Sequence, residues 1–492
     1  MTVSLGNGLL ELSMNRRTKV VATIGPASDS PESLRAMMEA GMDVARLGLA
    51  HETLEIALER FARIRSISAE MGRKIGILVD LPGPKVRAGS LAGNGLILNA
   101  GECIRVEPGV GPSSAEVITV DYPSLLEDVQ LGDHLAFGDG AVVVEAVEHT
   151  GTALVVRVLH GGPLKGRPGV HVPADRLRVA APTPDDLRLL DAFVEVGVDM
   201  VALSFVRSAH DVRRVGTEPH PEGPLVVAKI ETRAAVDNLE AIVAAAGAIM
   251  VARGDLGAEF PIEEVPHLQK RIIGTCIAQG RPVITATQML ESMVTAPSPT
   301  RAEASDIANA VFDGSSALML SAESAVGADP VNAVATMARI AKRADEEFDY
   351  ERWATTVAVH HRLQVSQQSR DDAVSNAMSM AAWRTATDTG ADAILCISRT
   401  GFTVRSIAKF RPEAPILAFS TDDRTCHQLS LSWGATPLLL PEGVDGINAI
   451  DQVLAAAVDT GMVSSGDLVA VLHGSDYYPG QATDTVRLVM VP

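Results

Sequence analysis

Three features of the sequence predict an α/β protein built around a closed barrel of eight parallel strands. From Lys19 onward apolar, strand-like runs alternate with amphipathic helical stretches, eight such units can be counted, and most of the runs close on polar residues. The runs are Lys19–Gly25, Asp43–Leu49, Lys74–Leu81, Asp199–Val206, Leu225–Glu231, Ala248–Asp255, Pro282–Gln288 and Ser316–Glu323. Alternation of this kind marks a parallel sheet with helical crossovers, and eight units close it into a (β/α)8 TIM barrel.

Every run except the third leads into a helical pattern. Ser30-Pro31 and Thr183-Pro184 are helix starts, because proline suits the first helical turn. The third unit is interrupted over 85–180 by a segment rich in Gly and Val. Its alternating stretches AVVVEAVEH and ALVVRVLH are bounded by Gly-Asp-Gly and Gly-Gly turns, which predicts an inserted small β-barrel domain. An insertion into a βα loop lies over the barrel mouth and could serve as a lid. After Ala354 the chain is polar and less patterned. Helix and strand signals then resume at AVSNAMSMAAWRTATDTG, DAILCIS, PILAFS and DLVAVLHG, as expected of a C-terminal α/β domain. The expected division is a barrel over 18–84 and 181–354, the insert over 85–180, the C-terminal domain over 355–492, and an N-terminal extension over 1–17. The residues before Met14 read as a short disordered extension or a misplaced start.

Composition agrees with several domains. The 492 residues exceed one core, since single cores stop growing near roughly 250–300 residues. Apolar residues at 47% and charged ones at 21% match a soluble globular chain, and with aromatics at 3% the core must be filled by Ala, Val, Ile and Leu. A net charge of -19 argues against nucleic acid and anionic membranes as partners. An anionic substrate would need a local cluster of cations. Cys103, Cys276, Cys396 and Cys426 are far apart, without CxxC pairs, and read as buried thiols in a reducing compartment. No secretory leader and no run of about 18 apolar residues is present, so a cytoplasmic location is expected.

In a β/α barrel the functional groups stand at the C-terminal ends of strands, so the polar residues there carry the information. They are Arg46 on the second run, Asp80 with Lys85 and Arg87 on the third, Lys229 and Glu231 on the fifth, Arg253 and Asp255 on the sixth, Thr285 and Thr287 on the seventh, and Ser321 and Glu323 on the eighth. Lys229 and Glu231 fall on one side of an extended strand. Glu231 and Asp255 are the kind of hard carboxylate pair that holds Mg²⁺ or Mn²⁺ while leaving positions open for substrate oxygens. A plain buried Lys229–Glu231 ion pair is the competing reading, but it leaves Asp255 unexplained. ARGDLG (252–257) sets glycines on both sides of the acid, so that backbone N–H groups can approach an anion. With Lys229, Arg46 and Arg87 the mouth becomes a positive pocket in a negative protein, suited to carboxylate and phosphate groups.

The segments AKIE, IMVARGDLG, VITATQMLESM and PTRAEASDIANAVFDGSSALMLSAESA are similar, nearly residue for residue, to signature segments of pyruvate kinases. ATIGPAS, GMDVARL and SRTGFTVRSIAKFRPEAPILA extend the resemblance along the chain in the family's order. The resemblance implies transfer of the phosphoryl group of phosphoenolpyruvate to ADP, giving pyruvate and ATP in glycolysis. It implies that Glu231 and Asp255 hold Mg²⁺, that Gly254 gives the substrate a backbone contact, and that Lys229 stabilises charge on the phosphoryl group and the enolate. By the same resemblance Arg46 and Arg87 bind phosphate, and Thr287 helps to protonate the enolate carbon. The family usually forms tetramers, so a homotetramer is expected.

The sequence departs from the family at three of the four positions that supply a monovalent-cation site. Where many members carry Asn, Ser, Asp and Thr around a K⁺ ion, this chain has Gly48, Ala50, Asp80 and Leu81. Three side-chain oxygens are lost, so a K⁺ site is poorly supplied. Lys85 stands where K⁺-dependent members have Glu, and its ammonium would replace the cation, which predicts activity without K⁺. On the nucleotide side, the family's basic pair in the insert becomes Arg167 and Pro168, with Lys165 nearby, and His51 is retained as a nucleotide contact. SRTGFTVRS (398–406) resembles the effector loop of regulated members and could take a phosphorylated effector, although such a turn also caps its own helix. Two rival functions are a metal-dependent aldolase or lyase on a related barrel and a non-catalytic regulatory paralogue. The insert and the C-terminal domain weigh against the first, and joint retention of Lys229, Glu231, Asp255, Thr287, Arg46 and Arg87 against the second.

Overall fold

The computed structural model describes residues 16–50, 52–84, 86–93, 95–138, 140–173, 179–364, 369–441, 449–475 and 482–492. His51, Lys85 and most of the N-terminal extension lie outside the described residues. The eight runs form strands β1 (Lys19–Thr23), β2 (Val44–Gly48), β3 (Gly76–Leu81), β4 (Met200–Leu203), β5 (Leu225–Ile230), β6 (Ala248–Ala252), β7 (Val283–Ala286) and β8 (Ala317–Leu320). All their pairings are parallel, and β1 bonds both β2 and β8, which closes the barrel. Continuous apolar runs follow from burial on both faces. Val21, Val44, Leu78, Met200, Met250 and Met319 fill the interior, while the outward side chains pack under the helices.

Helix starts follow local chemistry. Helix α1 (Pro31–Ala40) is capped by Ser30, whose hydroxyl accepts the Ser33 N–H, and it ends on Gly41 at φ 116°, a conformation costly for other residues. Helix α2 (Pro184–Glu195) begins with a reciprocal capping box between Thr183 and Asp186.

The strands are shorter at the mouth than the runs suggested. β6 pairs with β7 only as far as Ala252 with Ala286, and Arg253–Glu259 forms helix α3 instead of continuing the strand. Beyond that point no neighbouring strand is left to bond, so the chain satisfies its amides in a helical turn. Asp255 is therefore presented from a helix.

The inserted segment forms a curled six-stranded sheet plus a two-stranded ribbon, Leu96–Leu98 with Gly162–Leu164. The two alternating stretches are strands Val142–His149 and Leu154–His160, whose alternate side chains fill a separate core with Val106, Leu135 and Phe137. Cys103 corrects the expectation of buried thiols. It lies on the outward side of a half-buried strand and is exposed, whereas Cys276, Cys396 and Cys426 are buried.

The C-terminal sheet contains β9 (Ala393–Ile397), β10 (Ile416–Ser420), β11 (Ala435–Leu439), β12 (Leu468–His473) and β13 (Thr485–Met490) in the order β11-β10-β9-β12-β13. The unpatterned stretch after Ala354 is helical, within Tyr350–Gln364. It is anchored at Trp353, whose Nε1 donates to Lys409 O at 2.9 Å and whose ring meets Phe348 edge-on. Arg16 is buried against Asp43 at 2.8 Å, and the Arg17 N–H donates to Asp345, so both are built into the base of the barrel. Among the described residues no helix is long and apolar enough to cross a membrane.

Candidate active site

The centre of the barrel mouth is Lys229 on β5. Its ammonium stands 3.1 Å from Glu231 Oε2 and 3.8 Å from Asp80 Oδ1, and donates to Ser204 Oγ at 2.9 Å. Alternation along the strand sends Lys229 and Glu231 to the same side, as the spacing predicted. Asp80 on β3 also accepts from Arg46 Nε of β2 at 2.8 Å, and Arg46 Nη1 donates to Thr23 Oγ1 at 2.9 Å. Three strands, β2, β3 and β5, thus deliver alternating charges to one point.

Burial and neighbouring charges shift Lys229, Asp80 and Glu231. Burial alone would lower the Lys229 pKa, but Asp80, Glu231 and Asp255 outweigh it and hold the ammonium above the ordinary lysine range. Burial would raise Asp80, yet Lys229 and Arg46 draw it below the usual carboxylate range. Glu231 goes the other way: burial, joined by the like charge of Asp255, exceeds the pull of Lys229 and raises it.

Glu231 is 1% exposed. Its Oε1 accepts the Phe205 N–H, while Oε2 is buried and accepts no hydrogen bond despite the nearby ammonium. A buried carboxylate oxygen met only by the Lys229 ammonium, in the field of a second carboxylate, fits a hard divalent cation, whose charge would relieve both. Two protein carboxylates would leave positions on such an ion for substrate oxygens.

Thr287, just past β7, adopts φ 69°, a strained setting for a β-branched residue. Arg253 holds it there. The guanidinium donates to Ala286 O at 3.2 Å and Thr287 O at 2.6 Å, and pairs with Asp306 at 2.7 Å. Gly254 N–H donates to Thr287 Oγ1 at 2.9 Å, joining two of the expected substrate contacts. Arg253 is thus a clamp and not an open anion site.

Arg87, at the root of the insert, donates weakly to Arg167 O and to Ala50 O, both at 3.4 Å, and so spans insert and barrel. Arg167 is exposed and 3.8 Å from Asp121. Two other strand-end residues do not join the site. Thr285 is buried against Ser315 Oγ at 2.7 Å, and Glu323 caps the Leu290 and Ser321 N–H groups. Ser204 was missed: it lies inside the fourth run, two residues before its end, and only the observed strand end at Leu203 shows that it directly follows β4 as Glu231 directly follows β5.

Comparisons with known proteins bear on the family and the fold. The family model described as pyruvate kinase, barrel domain, matches residues 15–334, and that for the pyruvate kinase alpha/beta domain matches 376–489. A pyruvate kinase of Geobacillus stearothermophilus is 39% identical over 94% of this chain and 78% of its own length. One from Mycobacterium tuberculosis is 39% identical over 96% and 97%. The crystal structure of a pyruvate kinase from Cryptosporidium parvum superposes with TM-score 0.87 at 31% identity, covering 99% of this chain and 98% of that one. Fold, family models and relatives spanning nearly the whole length agree: the chain belongs to the pyruvate kinase family.

Proposed function

We propose that the chain makes pyruvate and ATP in glycolysis with Mg²⁺ or Mn²⁺ held by Glu231 and Asp255, and that it needs no K⁺. Membership of the family makes it a phosphotransferase acting on phosphoenolpyruvate and ADP. The observation that carries the site assignment is the Lys229 ammonium held between Asp80 and Glu231, with Glu231 Oε2 left without a hydrogen bond.

The divalent ion, when bound, supplies charge neutralisation to substrate oxygens. The chain's own residues do the positioning. Lys229, permanently protonated, stabilises the transferring phosphoryl group as its bond to the enol oxygen breaks and one to the ADP terminal phosphate forms. Arg46 and Arg87 bind phosphoryl oxygens, Arg46 aimed by Asp80 and Thr23. Gly254 contacts the substrate through its backbone, and the Thr287 hydroxyl lies on the proton path to the enolate carbon. His51, Arg87 and Arg167 contact the nucleotide, and the insert closes over the mouth as a lid.

K⁺ independence draws support from Asp80. The one oxygen ligand kept from the family's set is already paired with Arg46 and faces Lys229, and Leu81 is buried in the apolar core. In this reading Lys85 supplies the missing positive charge. A cytoplasmic homotetramer and a phosphorylated effector at 398–406 complete the proposal. The exposed Phe312 beside a groove with Ala308 and Ile340 supports self-association through barrel helices.

The deciding experiment is coupled detection of ATP and pyruvate from phosphoenolpyruvate and ADP with Mg²⁺, in wild type and in Glu231→Gln. Turnover in the first and its loss in the second are expected. Cleavage of a pyruvate-derived aldol instead, or no ATP at all, would overturn the reading.

A further inference from the structure

At the end of the barrel opposite Lys229, the turns entering β7 and β8 meet helix Phe402–Ala408 of the C-terminal domain and the residues after it. Together they enclose a cavity with ≈ 20 Å³ of space for the centre of a water-sized particle, where one water needs ~10–15 Å³. Its lining is all one sign. Arg281, Arg405, Lys409 and Arg411 line it, and among the described residues no carboxylate does. Arg405, Lys409 and Arg411 are 3%, 6% and 2% exposed.

Counter-charge is distant or already engaged. Asp372 acts on Arg281 and Asp345 on Arg411, both from outside the lining, and Asp345 accepts from the Arg17 and Thr18 N–H groups. Arg405 and Lys409 feel burial without an acidic neighbour among the described residues, which lowers them to about 9 and about 8.

The hydrogen bonds are also incomplete. Arg405 Nη2 serves Thr400 O at 2.8 Å and His220 Nε2 at 3.0 Å, and Lys409 donates to Asn376 Oδ1 at 2.9 Å. Yet Arg405 Nη1, Arg281 Nε, Ser432 Oγ and Trp433 Nε1, all on residues of the lining, are buried without a partner. Three of these are N–H donors that cannot accept, and the serine hydroxyl can donate. A water would accept two hydrogen bonds and bring no charge. A monatomic anion accepts more and offsets the cations.

We propose that this cavity binds one small inorganic anion of halide size, which ties the barrel to the C-terminal domain. The test is thermal unfolding of the full chain as sodium gluconate is replaced by sodium chloride at constant ionic strength. A ligand that binds only the folded chain raises the midpoint with the logarithm of its concentration once that exceeds the dissociation constant, here by roughly 2–4 °C, whereas a general salt effect grows in proportion to concentration. Lys409→Met should lose that rise. Trp433→Phe, which keeps the aromatic body and removes one donor, should weaken it and serves as the readout if Lys409→Met does not fold. Crystals soaked in bromide should show an anomalous peak inside the cavity. No rise, a rise merely linear in chloride, or one unchanged in whichever variants fold would overturn the proposal, as would bromide found only elsewhere, which would mean an adventitious ion only.

Discussion

At the scale of single residues, the arrangement around Lys229 sets what each substitution does. Lys229→Met removes the charge proposed to stabilise the transferring group, and losing one such preorganised stabiliser costs about 3–4 kcal/mol, so kcat should fall roughly a thousandfold. It also leaves Asp80 and Glu231 buried without their shared counter-ion, and breaking a buried pair costs about 3–5 kcal/mol. The variant should keep its far-ultraviolet circular dichroism but unfold earlier. Near-normal turnover would remove Lys229 from the chemistry. The K⁺ question is settled by single residues as well. Turnover in tetramethylammonium buffer free of Na⁺ and K⁺ should match that with K⁺, and Lys85→Glu should create a K⁺ requirement. Strong stimulation of the wild type by K⁺ would sink the idea. Asp80, Lys229 and Glu231 were legible because polar residues closing apolar runs stand out. The Glu231 oxygen without a hydrogen bond was not, since pairing is a property of neighbours and not of sequence.

At the scale of elements, the helix that follows β6 and the loop that follows β7 work as one unit. Arg253 holds Thr287 at positive φ through two carbonyls while Asp306 holds Arg253. Arg253→Met should let the loop relax and move the Thr287 hydroxyl. Misplacement of about 1 Å costs on the order of 100-fold, so kcat should drop by about that factor while the KM for phosphoenolpyruvate changes little. A kcat within twofold of wild type would show that the clamp is dispensable. The sequence predicted the strand but not its end at Ala252, because a strand stops where its neighbours stop, and that depends on the closed barrel. Helix starts were legible at Ser30 and Thr183 because capping is local. The helix through Ala354 was not, because Trp353 is held by Lys409, far along the chain.

At the scale of the whole molecule, the joint between barrel and C-terminal domain carries unusual charge. His220 accepts from Arg405 at 3.0 Å, and burial, with Arg405 and Arg281 nearby, lowers it to about 3. The unfolded chain therefore takes up this proton first as pH falls, near the ordinary histidine value of about 6.5. Stability is present above that value and is lost by up to about 1.4 kcal/mol per pH unit between about 6.5 and about 3. His220→Gln should flatten the unfolding midpoint between about pH 6.5 and 4 relative to wild type. Parallel curves for the two proteins would refute the role. By itself the sequence determined the alternating elements, the closed barrel with its two additions, and the residues at strand ends, because burial on both faces and local capping leave periodic marks. Only the tertiary structure decided that Asp80 and Ser204 share Lys229, that Thr287 is strained, and that four cations from two domains meet around one cavity. Those contacts join residues tens to hundreds of positions apart, and no local pattern records them.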